Sequence, residues 1–208
     1  MTAVLNTFTS FTTSNCYIVK PFNDERCFII DLPPDLDSVI DYIKVNNLSI
    51  AGALLTHGHY DHALGLSMFD GHAYINLDDE FLARNPDEQI KSFIGQDVDI
   101  EEYNGELKSI DTLNSDYIIV HKNPGHTKGS VSYEFPNEGL IFTGDFVFKD
   151  SIGRTDLFSG SMDQMNTSLR ETFLNFEEEF EILPGHGPSG KVRSIKNNNE
   201  YIKVLLND

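Results

Sequence analysis

The stretch Thr56-His57-Gly58-His59-Tyr60-Asp61-His62 constrains this chain more than any other. Four potential metal ligands fall within six positions, directly after an apolar, β-favouring run at 53–56. A continuing strand would send successive side chains to opposite faces, so His62 would part from the other three. A tight loop at Gly58 removes that restriction and lets neighbouring side chains converge. Neutral imidazole and carboxylate suit zinc and similar first-row metals. Three histidines and an aspartate at this spacing make a chance polar turn a poor explanation. The fold therefore has to bring further strand ends to the same edge.

Three other places meet that requirement. His126 lies in Pro124-Gly125-His126-Thr127 and His186 in Pro184-Gly185-His186-Gly187, each after a strand-like run and the same Pro-Gly punctuation. Asp145 closes Phe142-Thr143-Gly144-Asp145 in the same manner. Only His72 and His121 fall outside the pattern, and both read as ordinary strand-end residues.

Around these positions the periodicity is mixed. Strand-like runs occupy 16–19, 27–30, 53–56, 117–120, 131–135 and 140–143. Helical spacing appears in Leu36, Val39, Ile40 and Ile43 after the Pro33-Pro34 break, and in Met165, Leu169, Phe173 and Phe176. Ser161 and Gln164 are spaced as a capping box before the second pattern. Ile195, Ile202 and Leu206 predict one C-terminal helix. The simplest packing of this order is an α/β (α+β) fold with two sheets facing each other inside flanking helices. The stretch 78–106 is the most irregular, with Phe81, Leu82, Ile90, Phe93 and Ile94 on its helical part and five acids between Asp97 and Glu106. It reads as a cover over the site or as a connecting helix with a solvated acidic loop.

The 208 residues contain no linker and no repeat, so one domain, 1–208, is expected. No apolar run reaches membrane-spanning length, and residues 1–10 lack the basic start and apolar stretch of a secretory signal. Cys16 and Cys27 sit in apolar runs without CxxC spacing and read as reduced core residues, so the expected compartment is the cytoplasm. A formal net charge of -18 repels phosphate backbones and disfavours a nucleic-acid partner. Its ordinary meaning is a solvated surface.

The His-x-His-x-Asp-His cluster, the downstream His126, the Gly144-Asp145 pair and the late Gly185-His186, taken in order, resemble the metallo-β-lactamase superfamily. The resemblance implies a four-layer αββα sandwich. It implies one metal on His57, His59 and His126, a second on Asp61, His62 and His186, and Asp145 bridging them. Asp31, at the end of the 27–30 run, matches the early structural aspartate that supports the site without ligating metal. Within the superfamily, the stretch from Thr143 to Asp156, with Gly153-Arg154, looks like the glyoxalase II (hydroxyacylglutathione hydrolase) branch. Full-length glyoxalase II carries an added C-terminal helical domain. Here the chain ends about twenty residues after His186, as in the short single-domain members of the branch.

That likeness implies hydrolysis of a small-molecule thioester. Two divalent ions, zinc by default with iron or manganese as alternatives, would sit about 3.5 to 4 Å apart and bring the pKa of a shared water towards roughly 7. The resulting hydroxide is the nucleophile, and the catalytic carboxylates Asp61 and Asp145 act as ligands. A thiol of pKa about 8.5 leaves without a dedicated general acid. Arg154 is the expected substrate contact, with a structural ion pair to Asp156 as the competing role; Tyr60 or the Phe93 segment is a second place for the carrier. Three rival readings remain. A mononuclear-iron persulfide (sulfur) dioxygenase of the same superfamily would use His57, His126 and Asp145. A lactonase-type hydrolase is a second rival, and a metal-stabilised binding protein a third. Charge disfavours a nuclease, and His59 stands where oxygen-reducing di-iron members carry an acid.

Overall fold

The computed structural model describes residues 3–22, 24–95, 100 and 102–207. The chain divides into two compact units, Met1–Leu113 and Asn114–Asp208. Asp97, Asp99 and Glu101 of the acidic stretch lie outside the described residues, as do the side chains of Phe93 and Ile94.

The first unit carries a six-stranded sheet: β1 (Val4–Thr9), β2 (Asn15–Val19), β3 (Cys27–Ile30), β4 (Ile50–Leu54), β5 (Ala73–Ile75) and β6 (Leu107–Ser109), neighbours in chain order. Pairing is antiparallel from β1 to β3 and parallel from β3 to β6. β3 reads Cys-Phe-Ile-Ile with every residue buried, the continuous apolar run of an interior strand. Pro33 and Pro34 hold the residues before them, Leu32 and Pro33, in extended backbone, and α1 (Asp37–Val45) begins after this break. Leu36 and Val39, with Ile40 and Ile43 on the same stripe, pack into a core with Ile18, Ile29, Ala53 and Leu55. Each such side chain contributes roughly 1.5–3 kcal/mol when fully buried. Three short helices, α2 (Tyr60–Ala63), α3 (Glu80–Arg84) and α4 (Pro86–Ile94), lie between β4 and β6 in the chain. Arg84 ties 103–105 back to α3, donating to the carbonyls of Tyr103 at 2.7 Å and Gly105 at 3.0 Å.

The second unit carries a five-stranded sheet: β7 (Ile119–Lys122), β8 (Val131–Phe135), β9 (Leu140–Gly144), β10 (Glu181–Pro184) and β11 (Gly190–Lys191), again in chain order. Only β9 and β10 are parallel, and α5 (Met162–Glu171) lies in their crossover. Met165, Leu169, Phe173 and Phe176 form its core with Ile141, Ile182, Ile195 and Ile202. Two last helices follow, α6 (Val192–Asn198) and α7 (Glu200–Asn207). Two sheets with helices make the fold class mixed α/β, as expected. Among the described residues no helix is long and apolar enough to cross a membrane.

Several boundaries differ from the sequence expectation for local reasons. Ser161 Oγ does accept from Gln164 N at 3.3 Å, but the N–H of Ser161 donates to Gly125 O at 2.8 Å, so only half of a capping box forms. α5 stops at Glu171; Phe173 and Phe176 reach the core from a 3₁₀ turn and the residue after it. The single C-terminal helix is two helices, broken at Asn199, whose Oδ1 accepts from Tyr201 N at 3.0 Å and Ile202 N at 3.4 Å and starts the second. Restarting resets the phase of the apolar stripe, so Leu206 is 53% exposed and Leu205 is buried instead. The run at 117–120 forms a strand two residues later, at Ile119–Lys122.

His72 and His121 take the ordinary places expected of them. His72 precedes β5, its carbonyl accepting from Ala53 N at 2.8 Å. His121 in β7 faces Glu134 at 2.6 Å and meets Phe176 edge-on. Cys16 and Cys27 are buried and not disulfide-bonded. Burial, with Asp31 and Asp35 adding, pushes the Cys16 thiol well up, so it behaves as an inert core residue.

Candidate metal centre

In the first unit β4 ends at Leu54, and the next backbone donors are diverted by one carboxylate. Asp31 follows β3 with φ +60 and is 1% exposed. It accepts from Thr56 N at 2.7 Å and Thr56 Oγ1 at 2.8 Å, and its Oδ2 lies 2.9 Å from His62 Nδ1. This turns the chain out of the sheet at Thr56, so that His57, Gly58 and His59 form the loop leading into α2. His57, His59 and His62 are buried, and Asp61 is mostly covered. The His57 ring stands 4.9 Å from that of His59 and 4.4 Å from that of His62, centroid to centroid. Ser14 Oγ donates to the Asp61 carbonyl at 2.7 Å and anchors the start of α2.

Gly58 is required by close approach. A Cβ there would stand 2.6 Å from Asp79 O and 2.8 Å from Leu82 Cβ. Its N–H donates to the buried Asp79 Oδ2 at 3.0 Å. Gln89 accepts from Tyr60 N at 3.0 Å and donates to Leu82 O at 2.7 Å, so α4 and α3 both brace the loop. Asp79, Gln89 and Ser14 escape sequence reasoning, because isolated acids, amides and hydroxyls in irregular stretches carry no spacing signal. Thr56 stands in the quoted motif, yet its relay role appears only with Asp31 opposite.

In the second unit His126 occupies the loop between β7 and β8, Asp145 follows β9 and His186 follows β10. The three come together: His126 Nε2 and His186 Nε2 lie 3.5 and 3.6 Å from Asp145 Oδ2. His126 Nδ1 donates to the carbonyl of Arg154 at 2.7 Å. That carbonyl is held in place because the loop after Asp145 folds tightly back: Val147 and Ile152 form a bridge, and a Cβ on Gly153 would overlap the Asp145 carbonyl oxygen. Phe148 flanks His186 at 6.2 Å between ring centroids.

These contacts determine which ring nitrogen is available to a metal. The Thr56 hydroxyl gives its single proton to Asp31, so in its contact with His57 Nδ1 at 3.0 Å it accepts. Asp31 likewise accepts from His62 Nδ1, and the Arg154 carbonyl from His126 Nδ1. In the neutral rings of His57, His62 and His126 the lone pair therefore lies on Nε2, the tautomer of a metal-ligating histidine whose other nitrogen is hydrogen-bonded. The separations of 3.5 to 3.6 Å from carboxylate oxygen to Nε2, found also between Asp61 and His62, exceed hydrogen-bond length. They are close to the roughly 3.4 Å between two donors on a tetrahedral ion with bonds of about 2.0–2.1 Å. Donor type, tautomer and spacing all fit zinc or a similar first-row ion.

Arg154, expected as a substrate contact, holds Asp156 in a forked pair, Nε to Oδ1 at 2.7 Å and a second nitrogen to Oδ2 at 2.9 Å. That hydrogen bond, with one from the backbone, lowers the exposed Asp156 carboxyl from 3.8 to about 2. Tyr60 is partly buried; burial first and Asp61 second raise its phenol above the usual value. The second unit contains a cleft of about 480 Å³ bordered by Asp145, His186, Phe148, Lys149, Asp150 and Arg154.

Two sheets with helices, and candidate histidine and aspartate ligands after the strands, define a class: the chain belongs to the metallo-β-lactamase superfamily, whose family model matches residues 9–186. It is 31% identical over 191 residues to a probable metallo-hydrolase of Streptococcus pyogenes serotype M6, covering 86% of this chain and 82% of that one. It is 29% identical over 200 residues to the hydroxyacylglutathione hydrolase GloC of Haemophilus influenzae, covering 90% and 92%. The crystal structure of TTHA1623 in a di-iron-bound form superposes with a TM-score of 0.82 at 22% identity over 95% of this chain and all of that one, a likeness of fold.

Proposed function

We propose that the chain is a metal-dependent hydrolase of small-molecule thioesters, of the hydroxyacylglutathione hydrolase kind, whose two ligand clusters combine into one two-metal centre. In this reading His57, His59 and His126 hold one ion, Asp61, His62 and His186 hold the other, and Asp145 serves both. The observation that carries it is the tautomer selection: Asp31, Thr56 and the Arg154 carbonyl each fix a histidine with Nε2 as its acceptor. The family model, spanning all seven ligand positions, and the hydroxyacylglutathione hydrolase relative support it.

When bound, such ions would supply Lewis acidity towards a carbonyl and bring the pKa of a water towards about 7. The protein's own part is to hold the ligands in place and to orient the acyl group. Asp31 and Thr56 are positioning residues that fix the tautomer and the aim of the His62 and His57 rings. The Tyr60 phenol, raised by burial, stays protonated at neutral pH and is suited to donate to a hydroxyacyl or carbonyl oxygen. Arg154 borders the cleft, where its pair with Asp156 fixes the guanidinium plane, and it is the proposed contact to the carrier. A departing thiolate needs no proton at neutral pH, so no further carboxylic acid is assigned. Zinc is the proposed ion, the cytoplasm the proposed compartment, and nucleic acid and membranes have no part in this reading.

The test is metal analysis of purified protein alongside two assays, S-lactoylglutathione cleavage and oxygen uptake with glutathione persulfide. The expected result is close to two metal ions per chain and oxygen-independent thioester cleavage, with both metal and activity lost together in His59→Ala or His62→Ala. One fully occupied site indifferent to His62 and His186, with oxygen uptake and no thioester cleavage, would establish the dioxygenase instead.

A further inference from the structure

We infer that Lys149 is a specificity-determining residue that receives the carboxylate of an amino-acid or peptide thiol carrier; the inference rests on the thioester reading above. Lys149 stands four residues beyond Asp145 and borders the same cleft as Asp145 and His186. Its stem runs beside Gly190, at the contact distance of 3.8 Å that a Cβ there would show, while the side chain as a whole is exposed. Among the described residues it takes part in no ion pair. The neighbouring cation differs. Arg154 is committed to Asp156 by two hydrogen bonds, so drawing it wholly to a substrate carboxylate would forfeit both. Lys149 can accept a carboxylate without giving one up.

The charge of the chain favours such a cation at the rim of the cleft. A chain of net charge -18 repels anionic substrates at range, so an anionic carrier needs local compensation at the cleft. Asp150, next to Lys149 on the same rim, offers a partner for an ammonium group. An adjacent cation and anion complement the α-amino-acid end of a peptide thiol, which carries both charges. They complement the phosphates of a nucleotide-bearing thiol poorly, because Asp150 would oppose them.

The test compares the metal-loaded wild type with Lys149→Ala and Lys149→Arg. Substrates are S-lactoylglutathione, lactoyl-coenzyme A and the uncharged lactoyl thioester of N-acetylcysteamine; binding of non-hydrolysable S-methylglutathione is measured by calorimetry. In Lys149→Ala the ratio of kcat/KM for the glutathione over the N-acetylcysteamine thioester should fall about ten-fold, mainly through KM. The Kd of S-methylglutathione should rise by a similar factor, and Lys149→Arg should recover most of both. Metal content and Tm of the variants exclude a folding defect as the cause. A ratio and a Kd that Lys149→Ala leaves in place overturn the assignment, as does a wild type that fails to bind S-methylglutathione. An equal loss with the coenzyme A thioester overturns the amino-acid carrier in favour of a phosphate. Wild type that binds S-methylglutathione through Lys149 yet cleaves no thioester refutes the reaction and leaves the Lys149 contact standing.

Discussion

Asp31 accepts from Thr56 and faces His62, from a backbone angle of φ +60 that few residues other than glycine, asparagine and aspartate adopt. Asp31→Asn keeps the shape but sets an amide NH₂ against one of these partners. If the NH₂ replaces Oδ2, it confronts the Thr56 hydroxyl and His62 Nδ1, and His62 is driven to the other tautomer with its proton on Nε2. Metal affinity should then fall about 10- to 100-fold, with about 1–3 kcal/mol lost from stability. Competition against a chelator and the ¹⁵N shifts of the His62 ring measure both, and an unchanged affinity would rule out the positioning role. The Arg154–Asp156 pair makes a separate prediction. The carboxyl of Asp156 is depressed in the folded protein, so whatever the pair adds is present above the unfolded value of 3.8 and disappears as pH falls through about 2. Carboxyl NMR should find Asp156 titrating near 2 in the wild type and in the ordinary range in Arg154→Ala. The same variant separates the roles of the guanidinium: a raised KM speaks for substrate binding, and a lowered Tm with KM intact for structure.

Among the elements, the break at Asn199 matters beyond its length of one residue. Its side chain is fully buried; besides capping α7, its Nδ2 donates to Phe148 O at 3.2 Å and Ser151 O at 2.9 Å. The loop that follows Asp145 is therefore tied to the start of the last helix. Asn199→Ala removes a cap and the donor to the Phe148 carbonyl, while Ser151 O keeps its bond from Phe148 N at 3.0 Å; it should cost about 1–3 kcal/mol and disturb Asp145, read as a lowered Tm with reduced metal content. Ser161→Ala, which loses only an exposed cap bond, should cost about 1 kcal/mol and leave metal content alone. The contrast also marks what the sequence could reveal. The runs at 27–30 and 131–135 coincide with strands because dense β-branched and aromatic residues leave one reading. β5, β6 and β11 have two or three residues each, too few for a period, and only pairing with a neighbour makes them strands. The seven candidate ligand positions stand out because histidine beside Gly-Asp and Pro-Gly punctuation is chemically unusual. Asp79 and Gln89 do not, because their role lies in meeting Gly58 and Tyr60 across 21 and 29 residues of chain.

At the scale of the whole molecule, metal binding should be inseparable from stability. A ligand bound at a thousand times its dissociation constant adds about 4 kcal/mol, and in a chain of this size each kcal/mol is worth about 2–4 °C. Chelation should therefore lower Tm by on the order of 10 °C and added zinc should restore it; a Tm indifferent to chelator would argue against a structural share for the centre. Histidine binds metal only when neutral, so the ions, and the stability they bring, should be lost on acidification. The strand order has a consequence for how such a protein is made. In both sheets every strand pairs with its immediate neighbours in the chain. On the ribosome no strand has to wait for a distant partner, and the six-stranded sheet has all its members once residue 109 has emerged. His57, His59, Asp61 and His62 then emerge with the first sheet while His126, Asp145 and His186 are still to be translated, so the proposed seven-ligand centre is complete only late in the life of the new chain.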